Sequence, residues 1–207
     1  MSSDAIKHPG LNLGAAHGRD DDTAEALMFG FWLFLMSDAI LFSMVFATYV
    51  TSVNATAGGP GPHELYDINS VFIETLLLLC SSFTFGLASL ALKYKHGTAR
   101  LIGWLVLTLV LGVTFLGFEF HDFALMFAQG GVPSRSGFLS AFFGLVPLHG
   151  LHVMAGSIWL ICLVGQIAMY GVDTQVKLGI MRLALFWHFL DIVWIAIFSV
   201  VYLAGLT

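Results

Sequence analysis

The stretch FWHFLDIVWI, residues 186–195, decides how the chain is to be read. Large apolar residues fill it, yet His188 and Asp191 stand three positions apart inside it. On a helix that spacing sets both on one face, while Trp187 and Trp194, seven apart, share another. If the segment lies in a bilayer, each polar group there needs a partner or a task.

Composition supports a bilayer. Of 207 residues 58% are hydrophobic and 10% are charged, and the mean hydropathy is +0.89. A soluble domain has about 45–50% apolar and about 25% charged residues. A net charge of −5 argues against nucleic acid as a partner, and the chain has no basic patch, P-loop or dinucleotide fingerprint. Cys80 and Cys162 fall in apolar runs without a CxxC partner and read as structural thiols.

Five apolar runs follow one another, at 28–50, 68–92, 101–124, 138–170 and 180–204. A crossing needs ~20 helical residues, so each run is long enough for one. The fourth exceeds a single span, which calls for tilt, a kink at Pro147 or extension past the surface. TAGGPGPHELYD (56–67) and AQGGVPSRSG (128–137) have the Gly and Pro content of loops. KYKHGTAR (93–100) and GVDTQVKLG (171–179) are short enough to make neighbouring helices antiparallel. Residues 1–25 form a polar arm with an acidic cluster at 20–22, and no signal-peptide pattern follows it. The division is therefore 1–25 as a cytoplasmic arm and 26–207 as the membrane domain.

Basic residues set the orientation. Lys7 and Arg19, then Lys93, Lys95 and Arg100, then Lys177 and Arg182 share one side if there are five spans, leaving Arg135 alone on the other. The positive-inside rule then places the N-terminus in the cytoplasm and the C-terminus outside. The expected fold class is all-α integral membrane, five transmembrane helices in an antiparallel bundle.

Seven intramembrane polar positions are candidates for function: Asp38, Glu74, Glu119, His149, His152, His188 and Asp191. Asp38 lies about ten residues into the first run, near the midplane, where inserting an Asp costs ~2.5–3.5 kcal/mol. With no Lys or Arg deep in any run, it must be neutral, hydrogen-bonded, or facing a histidine or another chain. A structural bond between helices and a proton-accessible or partner-facing role both stay open for it, as they do for Glu74, about two turns inside the outer end of its run. Glu119, His121 and Asp122 are expected near an outer helix end within reach of water. His149, His152 and His188 invite a haem or metal reading. No HExxH pattern or further ligand supports it, and histidines bridging helices, with Gly150 and Gly156 allowing close approach, is the favoured reading. His188 and Asp191 read as a clamp between helices, and Trp194 and Tyr202 as part of an outer aromatic belt.

Three segments carry a resemblance. LFWHFLDIVWIAIFSVVYL (185–203) resembles the last helix of subunit III of haem–copper terminal oxidases. HGLHVMAGSIWL (149–160) is similar to that family's preceding helix, and FWLFLMSDAILFSMVFATY (31–49) to the helix bearing an intramembrane carboxylate. Order and spacing agree over essentially everything after residue 25. Within the family, five helices, SDAILFSMVFATY and SGFLSAFFGLVPLHGLHV look most like the cytochrome o ubiquinol oxidase branch. The cytochrome c oxidase branch usually has seven helices and a Glu where Asp38 stands, so its lipid-cleft residues do not carry over.

The resemblance implies a subunit without catalytic residues, haem or copper of its own. It implies haem and copper in a partner, subunit I, where quinol is oxidised, oxygen is reduced to water and protons are pumped. This chain would pack on subunit I and other oxidase subunits in the bacterial inner membrane, hold phospholipid and support assembly and stability, with a part in proton uptake left open. A subunit III-like chain of a cytochrome c oxidase or nitric oxide reductase complex is the near alternative. An independent proton-coupled transporter using Asp38 and Glu74 is the distant one, and the absence of an internal repeat argues against it.

Overall fold

A computed structural model describes residues 19–58, 68–94 and 97–204. Five long helices carry them: α1 (Arg19–Ser52), α2 (Ile68–Lys93), α3 (Thr98–Ala128), α4 (Gly137–Tyr170) and α5 (Thr174–Ile197). A 3₁₀ turn, Pro133–Arg135, precedes α4, and a π turn, Phe198–Leu203, continues α5. No strand occurs among the described residues. All five helices are long and apolar enough to cross a membrane, the last as Thr174–Leu203. Helix is the form such segments require, because hydrocarbon offers no partner to a backbone N–H or C=O left unpaired.

α1 begins at Arg19, so it reaches back into residues read from the sequence as polar arm; residues 1–18 lie outside the described residues. Positions 20–22 fall in its first turns. The other ends have local causes. Ser136 Oγ accepts from the Leu139 N–H at 3.1 Å to open α4, and Asp173 Oδ1 accepts from Val176 N–H at 2.8 Å to open α5. Gly171, at φ 78°, closes α4 in a conformation that side chains disfavour. α4 is 34 residues, about 51 Å at 1.5 Å per residue, and runs through Pro147.

α2, α3, α4 and α5 close a ring in which each packs on the next and α5 returns to α2, while α1 lies outside against α4 and α5. Contacts between α1 and α4 run in opposite chain senses: Phe31 meets Trp159, Phe42 meets His152 and Tyr49 meets Phe138. Lipid tails are as apolar as leucine, so shape and hydrogen bonding hold such helices together more than exclusion from solvent does. The ring is built accordingly. Trp187 is buried at its centre, edged by Gly112 of α3 and Gly156 of α4, where an added Cβ would come within 2.9 Å and 3.2 Å of the indole. Its N–H donates to Ser81 Oγ of α2 at 2.9 Å. One side chain thus ties α5 to the three other helices.

Seven residues along, the same device recurs. The Trp194 N–H donates to Thr75 Oγ1 of α2 at 3.0 Å, and the ring of Phe115 of α3 stands nearly perpendicular to the indole with centroids 4.7 Å apart. Trp194 and Tyr202 are therefore buried in the bundle, and the expectation of an outer aromatic belt is corrected. Both lie on the α5 face that the ring encloses, and an indole N–H with a protein acceptor has no need of the head-group region.

Candidate functional site

The seven candidate residues form three groups at the helix seams. Asp38 and His152 face each other from α1 and α4, with Asp38 Oδ2 3.8 Å from His152 Nε2. Each sits near the middle of its span, Glu25–Ser52 and Gly137–Tyr170. The His152 Nδ1–H donates to the Leu148 carbonyl at 2.7 Å, because a carbonyl can only accept. In a neutral ring Nε2 is then an acceptor facing an acceptor, unless the acid carries a proton. The alternative is a doubly protonated ring against a carboxylate. Of the alternatives the sequence left open for Asp38 (neutral, hydrogen-bonded, or facing a histidine or another chain), the structure sets it opposite a histidine.

The second group lies inside the ring. Glu74 of α2 and Glu119 of α3 are 2% and 3% exposed, and Glu74 lies in the field of Glu119 and Asp122. Glu119 rests against α4 at Gly150, where a Cβ would meet its carboxylate oxygens at 2.6 and 2.8 Å. This corrects the expectation of a water-solvated Glu119. It lies on the α3 stripe of Gly112 and Leu116, which turns toward α4, whereas His121 is exposed and Asp122 only partly covered. His149 is fully buried beside them; its Nε2–H donates to the Leu190 carbonyl at 3.3 Å, and its ring lies 5.1 Å from that of Trp194.

The third group joins α5 to α2. His188 Nδ1 and Ser82 Oγ share a hydrogen bond of 2.6 Å, and Asp191 Oδ2 stands 3.8 Å from the same nitrogen. The clamp is therefore made by His188 with Ser82, a residue the sequence reading did not single out. Asp191 stands behind it, with neither oxygen hydrogen-bonded in the chain. No motif marks Ser82; only its position across from His188 does.

These groups do not converge. Among the described residues, no three His, Cys, Asp or Glu side chains come together in a way that could hold a metal ion. His149 and His152 point into different seams, toward Leu190 and toward Asp38, so they do not offer one ion two ligands. Cys80 and Cys162 are free and exposed on the chain's surface. What the arrangement does chemically is join helices through polar contacts, several of them centred on groups able to exchange a proton.

Comparison with known proteins identifies the family. The family described as cytochrome c oxidase subunit III matches residues 12–206. A cytochrome bo(3) ubiquinol oxidase subunit 3 of Pseudomonas aeruginosa is 48% identical over 193 residues, 93% of this chain and 92% of that protein. The protein of the same name from Pseudomonas putida is 46% identical, over 89% of this chain and 88% of its own length. A quinol oxidase subunit 3 of Bacillus subtilis is 40% identical over 94% of this chain and 95% of that one. With a match running almost end to end and relatives this similar, the chain belongs to the cytochrome c oxidase subunit III family.

Proposed function

We propose that the chain is the non-redox subunit III of a haem–copper ubiquinol oxidase, a bacterial inner-membrane complex that couples quinol oxidation to oxygen reduction and proton pumping. The observation that carries this reading is the near full-length similarity to proteins named ubiquinol oxidase subunit 3. Haem and copper, held by subunit I, supply the redox chemistry. The residues of this chain pack, bridge and hold lipid.

In this reading the five helices run antiparallel with the N-terminus in the cytoplasm. The opposed α1 and α4 contacts and the short connections at 94–97 and 171–173 support that arrangement, and the distribution of Lys and Arg supports the orientation. Asp38, Glu74, Glu119, His149, His152, His188 and Asp191 serve as bridging positions, with Asp38 and His152 the pair best placed to pass or hold a proton. Transporter and haem-protein readings draw no support from the family match.

Gentle purification through a tag on this chain tests the proposal. Haem–copper polypeptides and quinol oxidase activity should co-isolate with it. Recovery of the chain alone, or with a complex that oxidises cytochrome c and not quinol, would sink it.

A further inference from the structure

His188 presents a contradiction that the chain alone does not resolve. It lies at the midpoint of the span Thr174–Leu203, and Ser82 lies near the midpoint of Ile68–Lys93. Yet 45% of its side chain is exposed. Ser82 and Asp191 both approach Nδ1, and Nε2 has no partner among the described residues. Hydrocarbon has nothing to offer that nitrogen, and polar side chains at this depth face protein or a water-lined cavity.

The surface around it is apolar and open to a neighbour. On α5, Leu185 and Ile192 flank His188 on the outward face and are exposed. On α2, Gly86 lies one turn from Ser82, and a Cβ there would meet nothing within 4 Å, so packing inside the chain does not require its smallness. Small residues along a seam let a second backbone approach closely. A polar nitrogen set between apolar flanks makes a lipid tail the poorer occupant, since hydrocarbon offers it no hydrogen bond.

We propose that the α2/α5 seam at His188 is a docking surface for a transmembrane helix of another oxidase subunit, which places a hydrogen-bonding side chain or a carbonyl opposite His188 Nε2 near mid-bilayer. The inference rests on the chain being an oxidase subunit and adds which face meets the partner. His188 then acts as a relay of contact: Ser82 holds the ring through Nδ1, with Asp191 3.8 Å from the same nitrogen, and the outer nitrogen fixes the depth of the incoming helix.

The test uses the whole complex, isolated through a tag on this chain, with a photoreactive benzophenone side chain at position 185 or 192. Irradiation should join this chain to another oxidase polypeptide from both positions. His188→Phe, which keeps the ring size and removes the nitrogens, should lower the fraction of complex retaining this chain after detergent washing by about three- to tenfold, the range of a single interhelical hydrogen bond. Adducts only with lipid, or only with a second copy of this chain, in a complex that still contains the other subunits would overturn the inference and leave the proposed function standing. A preparation without oxidase polypeptides would overturn both. If His188→Phe folds poorly, the adducts formed from positions 185 and 192 with His188 intact still decide.

Discussion

Replacing Gly112 by alanine is the smallest change that tests how the ring is locked. The new methyl would lie 2.9 Å from Trp187 Cζ2 and 3.0 Å from Cη2, where ordinary contact begins near 3.4 Å. Trp187 has little room to retreat. The adjoining ring atom, Cζ3, faces α4, where a Cβ at Gly156 would come within 3.2 Å of it, and the indole N–H is held by Ser81. Overpacking of this kind costs about 1–3 kcal/mol. A chain of this length loses roughly 2–4 °C of midpoint per kcal/mol, so Gly112→Ala should lower the thermal midpoint of the purified complex by several degrees.

The decisive measurement is a double-mutant cycle with Trp187→Phe. Phenylalanine withdraws the ring edge from Gly112 and drops the bond to Ser81, worth about 0.6 kcal/mol in a membrane bundle. With that edge gone, a methyl at position 112 fills space instead of clashing. The two changes together should therefore cost less than their sum, by about 1–2 kcal/mol, well above the 0.3–0.5 kcal/mol scatter of independent sites. Additive losses, or Gly112→Ala without effect, would refute the lock.

Three further outcomes follow from named contacts. Gly150→Ala places a methyl 2.6 Å from a Glu119 oxygen and should destabilise the complex by about 1–3 kcal/mol; Glu119→Ala in the same chain should recover most of the loss, and failure to recover would put the clash elsewhere. Asp38→Asn should assemble like the parent, whereas Asp38→Leu leaves His152 Nε2 facing a hydrocarbon side chain and should weaken assembly by about 1–3 kcal/mol; complex yield on native gels reads this, and a fully normal Leu variant would remove any role for the pair. An alkaline phosphatase fusion after Thr207 should be active and one at the N-terminus inactive, and the reverse pattern would invert the proposed orientation.

Span number was legible because the bilayer sets it: five apolar runs became five long helices, with ends shifted by up to nine residues, at the start of α1. Partner choice was not. Ser82 and His188 are 106 positions apart, and Asp38 meets His152 across two intervening long helices of sequence. In a soluble bundle an apolar stripe would show which face turns inward. Here lipid-facing and ring-facing sides are both apolar, as exposed Phe83 and buried Phe85 on α2 illustrate, so that signal is missing. Small and polar residues carried it instead. Thr108, Gly112 and Glu119 recur at helical spacing and mark the inward side of α3, and reading them together would have placed Glu119 inside.

The polar atoms divide in a way that bears on what the chain is for. Both ring indoles, Trp187 and Trp194, find hydroxyl acceptors, and Thr84 and Thr108 share a bond of 2.8 Å. Among the described residues, the buried side-chain atoms without a hydrogen bond in the chain belong to Asp38, Glu74, Glu119, His149 and Asp191. All five residues are titratable. A hydroxyl or indole has a fixed set of donors, so the fold must satisfy it by geometry. A carboxyl that takes up a proton gains a donor, and an imidazole can exchange acceptor for donor. Such groups can meet a partner chain or an entering water with whichever hydrogen the contact requires. An unsatisfied buried group costs about 1–3 kcal/mol, so a chain that leaves five titratable side chains in this condition should gain stability when a complex completes them. The Asp38→Asn variant bears on this directly: an amide always carries donors, so normal assembly together with slowed turnover would show that the acid is kept for its exchangeable proton, and normal turnover would show that a bond of either kind is enough.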